Sequence, residues 1–422
     1  MYMQKNLNLR KYVDSMWPAR FIVALIIGSC LLAACGSDGV SAAASTPSAA
    51  NASQTAASST PTSPSGNSSG KAIPTNNEPS GNAQKLQEQL KALRMVDQQH
   101  GWGLTATSIL KTTDGGVHWY NVTPPNVRLG EQSTGTFMNN QYAWVVNSQP
   151  NSPITVLRTS DGGKSWQSSK INDPDSWAGD MPHFLNTHEG FIEIIAQGGP
   201  GAGSESVDIF HTSDGGQSWS KVSGTDQQSS GLPRGGIKSG ISFKDSLNGW
   251  ATGEEPTNYP WLYATHDGGK TWKLQSLPDL PNPSGGVAFH TTPPVFFGAQ
   301  GLLPVYVTGE LTANTTFHGL LLYKTIDGGK TWATTYLANH AALGTFDSDN
   351  LYIVDIQHAW ASDRNTGTLY ATSDGGRSWQ AIAQHMGNIQ EFSFVDTTHG
   401  WAVGDKSLLR TSDGGHTWQR IS

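Results

Sequence analysis

Cysteine is almost missing from this chain: Cys30 and Cys35 are the only two in 422 residues. Both lie at the N-terminal end, so no disulfide framework can hold the rest together. Packing and strand ladders must do that work, and a chain of this size buries enough surface for it. Runs of Lys and Arg are missing as well. The formal charge is −7, and loss of residues 1–34 would remove four bases and one acid, leaving a chain near −10. Nucleic-acid binding draws on clustered bases, so an acidic chain argues against that partner. The N-terminal apolar run, residues 21–32, is too short to cross a membrane comfortably as a helix. Familiar chemical signatures are lacking too: no HExxH, no Cys/His metal spacing, no Gly-Xaa-Ser-Xaa-Gly elbow and no Walker loop. The string Asp347-Ser348-Asp349-Asn350 has neither the glycine nor the distal glutamate of an EF-hand loop. Neither a metal nor a cofactor is expected.

What is present is repetition. Seven copies of one eight-residue string recur: TTDGGVHW (112–119), TSDGGKSW (159–166), TSDGGQSW (212–219), THDGGKTW (265–272), TIDGGKTW (325–332), TSDGGRSW (372–379) and TSDGGHTW (411–418). Each reads as a tight turn. The Asp carboxylate can accept nearby backbone amides, and two glycines tolerate positive φ. The Trp then buries a large ring where the next strand begins. Periods of this length mark stacked or radial repeats, in which no unit buries its own apolar face.

A second element precedes each string: DQQHGWGLT (97–105), NQYAWVV (140–146), NTHEGFIEI (186–194), DSLNGWATG (245–253), GAQGLLPV (298–305), DIQHAWASD (355–363) and DTTHGWAVGD (396–405). A turn, a small residue and a large apolar residue recur, followed by strand-like sequence. The last repeat reads as four short β-runs, IQEFSFVD, HGWAVGD, SLLRTSD and TWQRIS. Seven such units of about 47 residues predict an all-β chain with a single seven-bladed β-propeller over residues 84–422. The first unit starts near Ala92 and the last ends at Ser422, so whole blades are expected to meet at the seam.

The repeated string resembles the Asp box, or bacterial neuraminidase repeat, found between the third and fourth strands of propeller blades. All seven copies keep Thr, Asp, both Gly and Trp; His118 replaces Ser/Thr in the first copy. Among Asp-box propellers the chain looks most like the photosystem II assembly and stability factors. It shares a single propeller, an export signal of lipoprotein type, the DGG form of the box and the recurring D…HGWA.G element. That resemblance implies a non-catalytic platform binding an exported or membrane protein, or a peptide of one. One departure matters: those factors are associated with a basic patch, and this chain is acidic. Sialidases, xyloglucan-cleaving glycosidases and sortilin-type receptors share the box. They supply the alternative, a glycoside hydrolase or glycan-binding module.

The N-terminus carries an address. Lys5, Arg10, Lys11 and Arg20 flank or precede the apolar run, and Leu32-Ala33-Ala34-Cys35 follows it. This is the grammar of a secretory signal peptide over residues 1–34. LAAC resembles the bacterial lipobox, which implies lipidation at Cys35 and anchoring to the outer face of the cell membrane. From there to residue 83 the composition collapses to Ser, Ala, Thr, Pro, Gly and Asn, which predicts a disordered tether. Residues 84–93 place Leu86, Leu90 and Leu93 at helical spacing, either a short docking helix or the run-in to the first strand.

Seven equivalent acids cannot all face one active site, so Asp114, Asp161, Asp214, Asp267, Asp327, Asp374 and Asp413 are read as turn acceptors. Of the histidines, His100, His358 and His399 recur in one turn and show no ligand spacing. Function is expected instead on the loops that differ between blades, opposite the boxes. There Trp177, Asp180, His183, Arg234, Glu254, Glu255, Tyr259 and Trp261 combine aromatics with charge, suited to a peptide or carbohydrate platform. Asp180 with Glu254 or Glu255 is the pair that a glycosidase would use.

Overall fold

The computed structural model describes residues 72–74, 84–150, 152–196, 203–225, 231–255, 259–278, 287–312, 315–334, 351–363, 366–405 and 407–421. The signal peptide, Cys35, most of the tether and residues 347–350 lie outside them. Among the described residues strands alone make up the regular secondary structure, in six antiparallel sheets: three of four strands, two of five and one of nine that spans two repeats. The repeats are numbered as blades in chain order, blade 2 covering residues 134–171, blade 3 residues 176–224, blade 4 residues 237–274, blade 5 residues 287–334 and blade 6 residues 351–383. Blade 1 comprises Ala92–Met95, Gly101–Leu104, Ile109–Thr112 and Tyr120–Asn121. Blade 7 comprises Ile389–Phe394, Gly400–Gly404, Ser407–Thr411 and Gln419–Arg420. Every box joins a third strand to a fourth. Residues 84–93 run in to the first strand without a helix; Gln84 bridges Trp119, and Leu90 and Leu93 are buried.

The inner strands show where sequence interrupts the ladder. Blade 3 opens with Ser176–Gly179 and His183–Phe184, both paired to Gly190–Ala196. Blade 5 opens with Val287–Thr291 and Val295–Phe297, both paired to Gln300–Thr312. Pro182 breaks the first, and Pro293 with Pro294 breaks the second, because proline has no amide hydrogen for the ladder. Between blades 4 and 5 the sheet is continuous, since Glu254 and Glu255 pair with His290 and Phe289. In the stretch read as tether, Ala72–Pro74 adds a short fifth strand to the outer strand of blade 2, Ser165–Ile171.

The core lies between blades and is built by one repeated arrangement. In blades 1 to 4 and in blade 6 the large aromatic of the second strand meets a ring from the next blade's inner strand. Trp144 stacks on Phe184 at 3.7 Å, Phe191 on Phe243 at 3.5 Å and Trp360 on Phe394 at 3.8 Å. The box Trp of that next blade closes the group edge-on, as Trp219 does on Phe184 and Trp272 on Phe243. The small residue of the second element now has a cause. A Cβ at Gly190 would lie 2.6 Å from the Phe184 ring, and one at Gly249 2.6 Å from Phe243. Each glycine faces that ring directly across its hairpin.

Indole N–H groups staple neighbouring blades. Trp144 donates to Gly215 O and Trp360 to Gly414 O, each at 2.8 Å, and both acceptors are box carbonyls of the following blade. Trp250 reaches the box of blade 5 through Gln275, whose amide donates to Gly329 O. At the seam Trp401 donates to Gly115 O at 2.8 Å, so blade 7 grips blade 1 by the same device. There the Leu93 amide also donates to Glu391 Oε2, and the Met95 amide to Ser393 Oγ. Whole blades meet there, each supplying its own four strands.

Candidate functional site on the loop face

Each box is a closed hydrogen-bond unit. In the second copy Thr159 Oγ1 donates to Asp161 Oδ1 while accepting the Gly163 amide. The Ser165 amide donates to Asp161 Oδ1, and the Ser165 hydroxyl to Oδ2. His118 fills that last role in the first copy, its ring nitrogen 2.6 Å from Asp114 Oδ2. Both box glycines take positive φ in all seven copies, which fits the sequence reading of the turn. Hydrogen bonds from Thr331 and Thr417 hold Asp327 and Asp413 at a pKa of about 2. The first box glycine also donates to the turn joining strands one and two of its own blade, as Gly115 does to Gln99 O. Those turns and the boxes therefore share one face. There His100, His358 and His399 each bond an aspartate of their own turn.

The opposite face carries the variable loops, and the eight residues singled out from the sequence separate there into distinct roles. Trp177 is 37% exposed at the start of the inner strand of blade 3, and Tyr259 is 70% exposed in a loop of blade 4. Between those sequence positions, Ile237 opens the inner strand of blade 4 and is 40% exposed. It sits opposite Glu254, whose Oε2 lies 3.3 Å from His290 Nδ1. Arg234 is exposed, and its Nε donates to Thr225 O.

Trp261 corrects its reading as a loop aromatic. It begins the third strand of blade 4, is only 3% exposed and packs with Val207, Phe191 and Ile241. His183 and Asp180 are likewise removed from the surface role. His183 Nε2 lies 2.7 Å from Phe243 O; a carbonyl only accepts, so that nitrogen carries the proton and ties blade 3 to blade 4. Burial lowers its pKa to about 4, leaving it neutral. Asp180 is buried, its amide donating to Glu193 O and its carboxylate accepting the Met181 amide.

Sequence reasoning passed over Lys238, the residue on which several others converge. Its Nζ donates to the carbonyls of Glu205, Arg234, Gly235 and Gly236 and lies 5.3 Å from the Trp261 ring. Burial pulls its pKa down to about 8, while Glu193, Glu205 and Glu255 pull the other way. This cation fastens the glycine-rich loop of blade 4 to the end of blade 3. The one available signal was a lysine inside IKSGISF, where the strand alternates toward the core.

Residues 82–222, entirely within the assigned propeller apart from its first two positions, match the family model for the photosynthesis system II assembly factor YCF48. A photosystem II assembly lipoprotein, Ycf48 of Synechococcus sp. (strain CC9902), is 24% identical over 291 residues, 60% of this chain and 78% of the relative. The chain is thus similar to the photosystem II assembly factors. Among solved structures, YCF48 from Cyanidioschyzon merolae is 18% identical, covering 83% of this chain and 100% of that one, with a TM-score of 0.49. A structure described as YCF48 bound to D1 peptide is also 18% identical and has a TM-score of 0.49, covering 81% of this chain and 97% of that one.

Two further charged groups stand out in the structure. In blade 3, burial raises the Asp208 carboxyl to about 6, with Lys221 2.8 Å away opposing the shift and Asp173 reinforcing it. At the inner wall, burial holds the Glu391 carboxyl well above the usual carboxylate range, although the Leu93 amide favours its charged form. Nearby, Arg94 donates to the Tyr352 hydroxyl, which donates to Phe394 O and so links blade 6 to blade 7. Among the described residues no group of three or more His, Cys, Asp or Glu is placed to hold a metal ion.

Proposed function

We propose that this propeller is a non-catalytic binding platform that assists the assembly of an exported or membrane protein. It works from the outer face of the cell membrane, to which a lipid at Cys35 anchors it. The observation carrying this reading is the match of its first blades to the assembly-factor family. The similarity to an assembly lipoprotein over 78% of that relative's length supports it, and LAAC at residues 32–35 supports the anchor. Geometry is compatible with binding. The box aspartates are engaged in their own turns, while Trp177, Ile237 and Tyr259 leave apolar surface on the loop face. A fold alone supplies no activity, so the role is argued from that face.

The test has two arms. Crosslinking the anchored protein in cells should capture an exported or membrane protein, and the capture should weaken in Trp177→Ala and Tyr259→Ala. Incubation with sialosides, β-glucans and xyloglucan should give no turnover. Hydrolysis of any of them, lost in Glu254→Gln, would replace the platform by a glycosidase.

A further inference from the structure

The loop faces of blades 3 and 4 differ from the opposite face in the kind of surface they offer. Trp177 and Ile237 begin the inner strands of adjacent blades, both at the loop end, and Tyr259 stands in the loop of the second. Around this apolar surface four acids outnumber the exposed bases Arg234 and Lys170. Asp175 is exposed, and Asp173, Glu254 and Glu255 are half-buried. On the basic side Lys238 is consumed internally by four carbonyls, and Lys221 is paired with Asp208. Arg234 remains as an exposed base of the two blades. An apolar centre with a rim of one sign selects a partner of the opposite sign through steering and register.

We infer that this surface, defined by Trp177, Ile237 and Tyr259 within the Asp173, Asp175, Glu254 and Glu255 rim, docks an extended basic segment of a partner protein. In that segment, apolar side chains alternate with Lys or Arg. The inference rests on the platform reading and names the partner chemistry for it. A second copy of the chain fits poorly, because it would bring an equally acidic face against this one. The chain's own tether fits no better. Residues 36–83 contain Lys71 as their single base, beside Asp38 and Glu78. A basic segment instead sets its cations against the rim carboxylates and its apolar groups on the three exposed side chains. An extended backbone lets alternate side chains reach opposite sides, as the arrangement requires.

The experiment uses the full chain in detergent and three fluorescent peptides of equal length. In one, Leu alternates with Lys; in the second Glu replaces Lys, and in the third Ser does. Anisotropy should rank the basic peptide first, with affinity falling as salt rises. The double variant Asp175→Asn, Glu254→Gln should weaken it about tenfold, as should Ile237→Ser. Leu247→Ser, in a turn on the box face, should leave it unchanged. Equal or tighter binding of the acidic peptide, or equal loss in Leu247→Ser, would overturn the inference. Thermal melts of every variant separate loss of the surface from loss of the fold. Cellular crosslinking distinguishes the two levels. Capture that survives Asp175→Asn, Glu254→Gln but is lost in Trp177→Ala keeps the platform and removes the basic partner. Failure to capture any exported or membrane protein removes both.

Discussion

Trp401→Phe keeps a ring at the seam between the last blade and the first while deleting the indole N–H that reaches Gly115 O. Two losses follow. The Gly115 carbonyl loses a buried 2.8 Å partner, and an orphaned buried acceptor costs about 1–3 kcal/mol. The smaller ring leaves unfilled volume at a fully buried site, adding roughly 1 kcal/mol. The Arg410 guanidinium, 5.3 Å from the Trp401 ring, would also face a weaker cation–π partner. The expected destabilisation is therefore about 2–4 kcal/mol, below the roughly 3–5 kcal/mol of a full truncation to alanine. Urea titration followed by circular dichroism reads the midpoint. Hydrogen exchange at Leu93 and Met95 reads the seam itself, because their amides are held by Glu391 and Ser393. Trp360→Phe is the matched control, losing an equal 2.8 Å bond to Gly414 O away from the seam. It should cost a similar amount without loosening Leu93 and Met95. An unchanged midpoint in Trp401→Phe would refute the staple, and equal costs for phenylalanine and alanine would contradict the share given to the ring's volume.

Three more outcomes can be measured. Gly249→Ala should destabilise by about 1–3 kcal/mol, because its Cβ would overlap the buried Phe243 ring; a denaturant midpoint equal to wild type would contradict that overlap. Glu391 keeps a proton in the folded state that the unfolded chain releases, so its contribution is present in acid and lost as pH rises above the unfolded carboxyl range. Glu391→Gln should accordingly match wild type near pH 4 and exceed it by about 1–3 kcal/mol near pH 8, and a melt series showing the opposite trend would reject the buried-acid reading. Cys35→Ser should shift the protein from the membrane fraction to the soluble one, and metabolic labelling that leaves the wild type without fatty acid would rule out the anchor.

The boxes were legible because their hydrogen bonds are local: every partner of Asp161 Oδ1 and Oδ2 lies within four residues. The second element was legible as a rhythm, although its cause was not. The ring that requires Gly190 or Gly249 to be small arrives by hairpin pairing, and a repeat count does not show which side chain covers which. Candidate site residues were harder because their fate depends on the neighbouring blade. Trp261 follows a loop in sequence, yet blade 3 packs against it. His183 looks like a loop histidine until the Phe243 carbonyl of blade 4 comes within reach. Lys238 resembles any charged residue, and its four carbonyl partners exist only once a glycine-rich loop folds around it. Trp177 and Tyr259 stayed on the surface, where their sequence reading placed them.

The indole staples from Trp144, Trp360 and Trp401 all run from one blade to the box of the next. Blades joined this way form a head-to-tail polymer whose ends meet, with Trp401 as the free donor and Gly115 as the free acceptor until closure. Head-to-tail contacts close into a ring only when the rotation per unit allows it, and otherwise they continue between molecules. A chain truncated before blade 7 would leave the blade 1 acceptor open and expose Trp360 as a donor. Such a fragment carries complementary ends and would seek the missing contact in another copy.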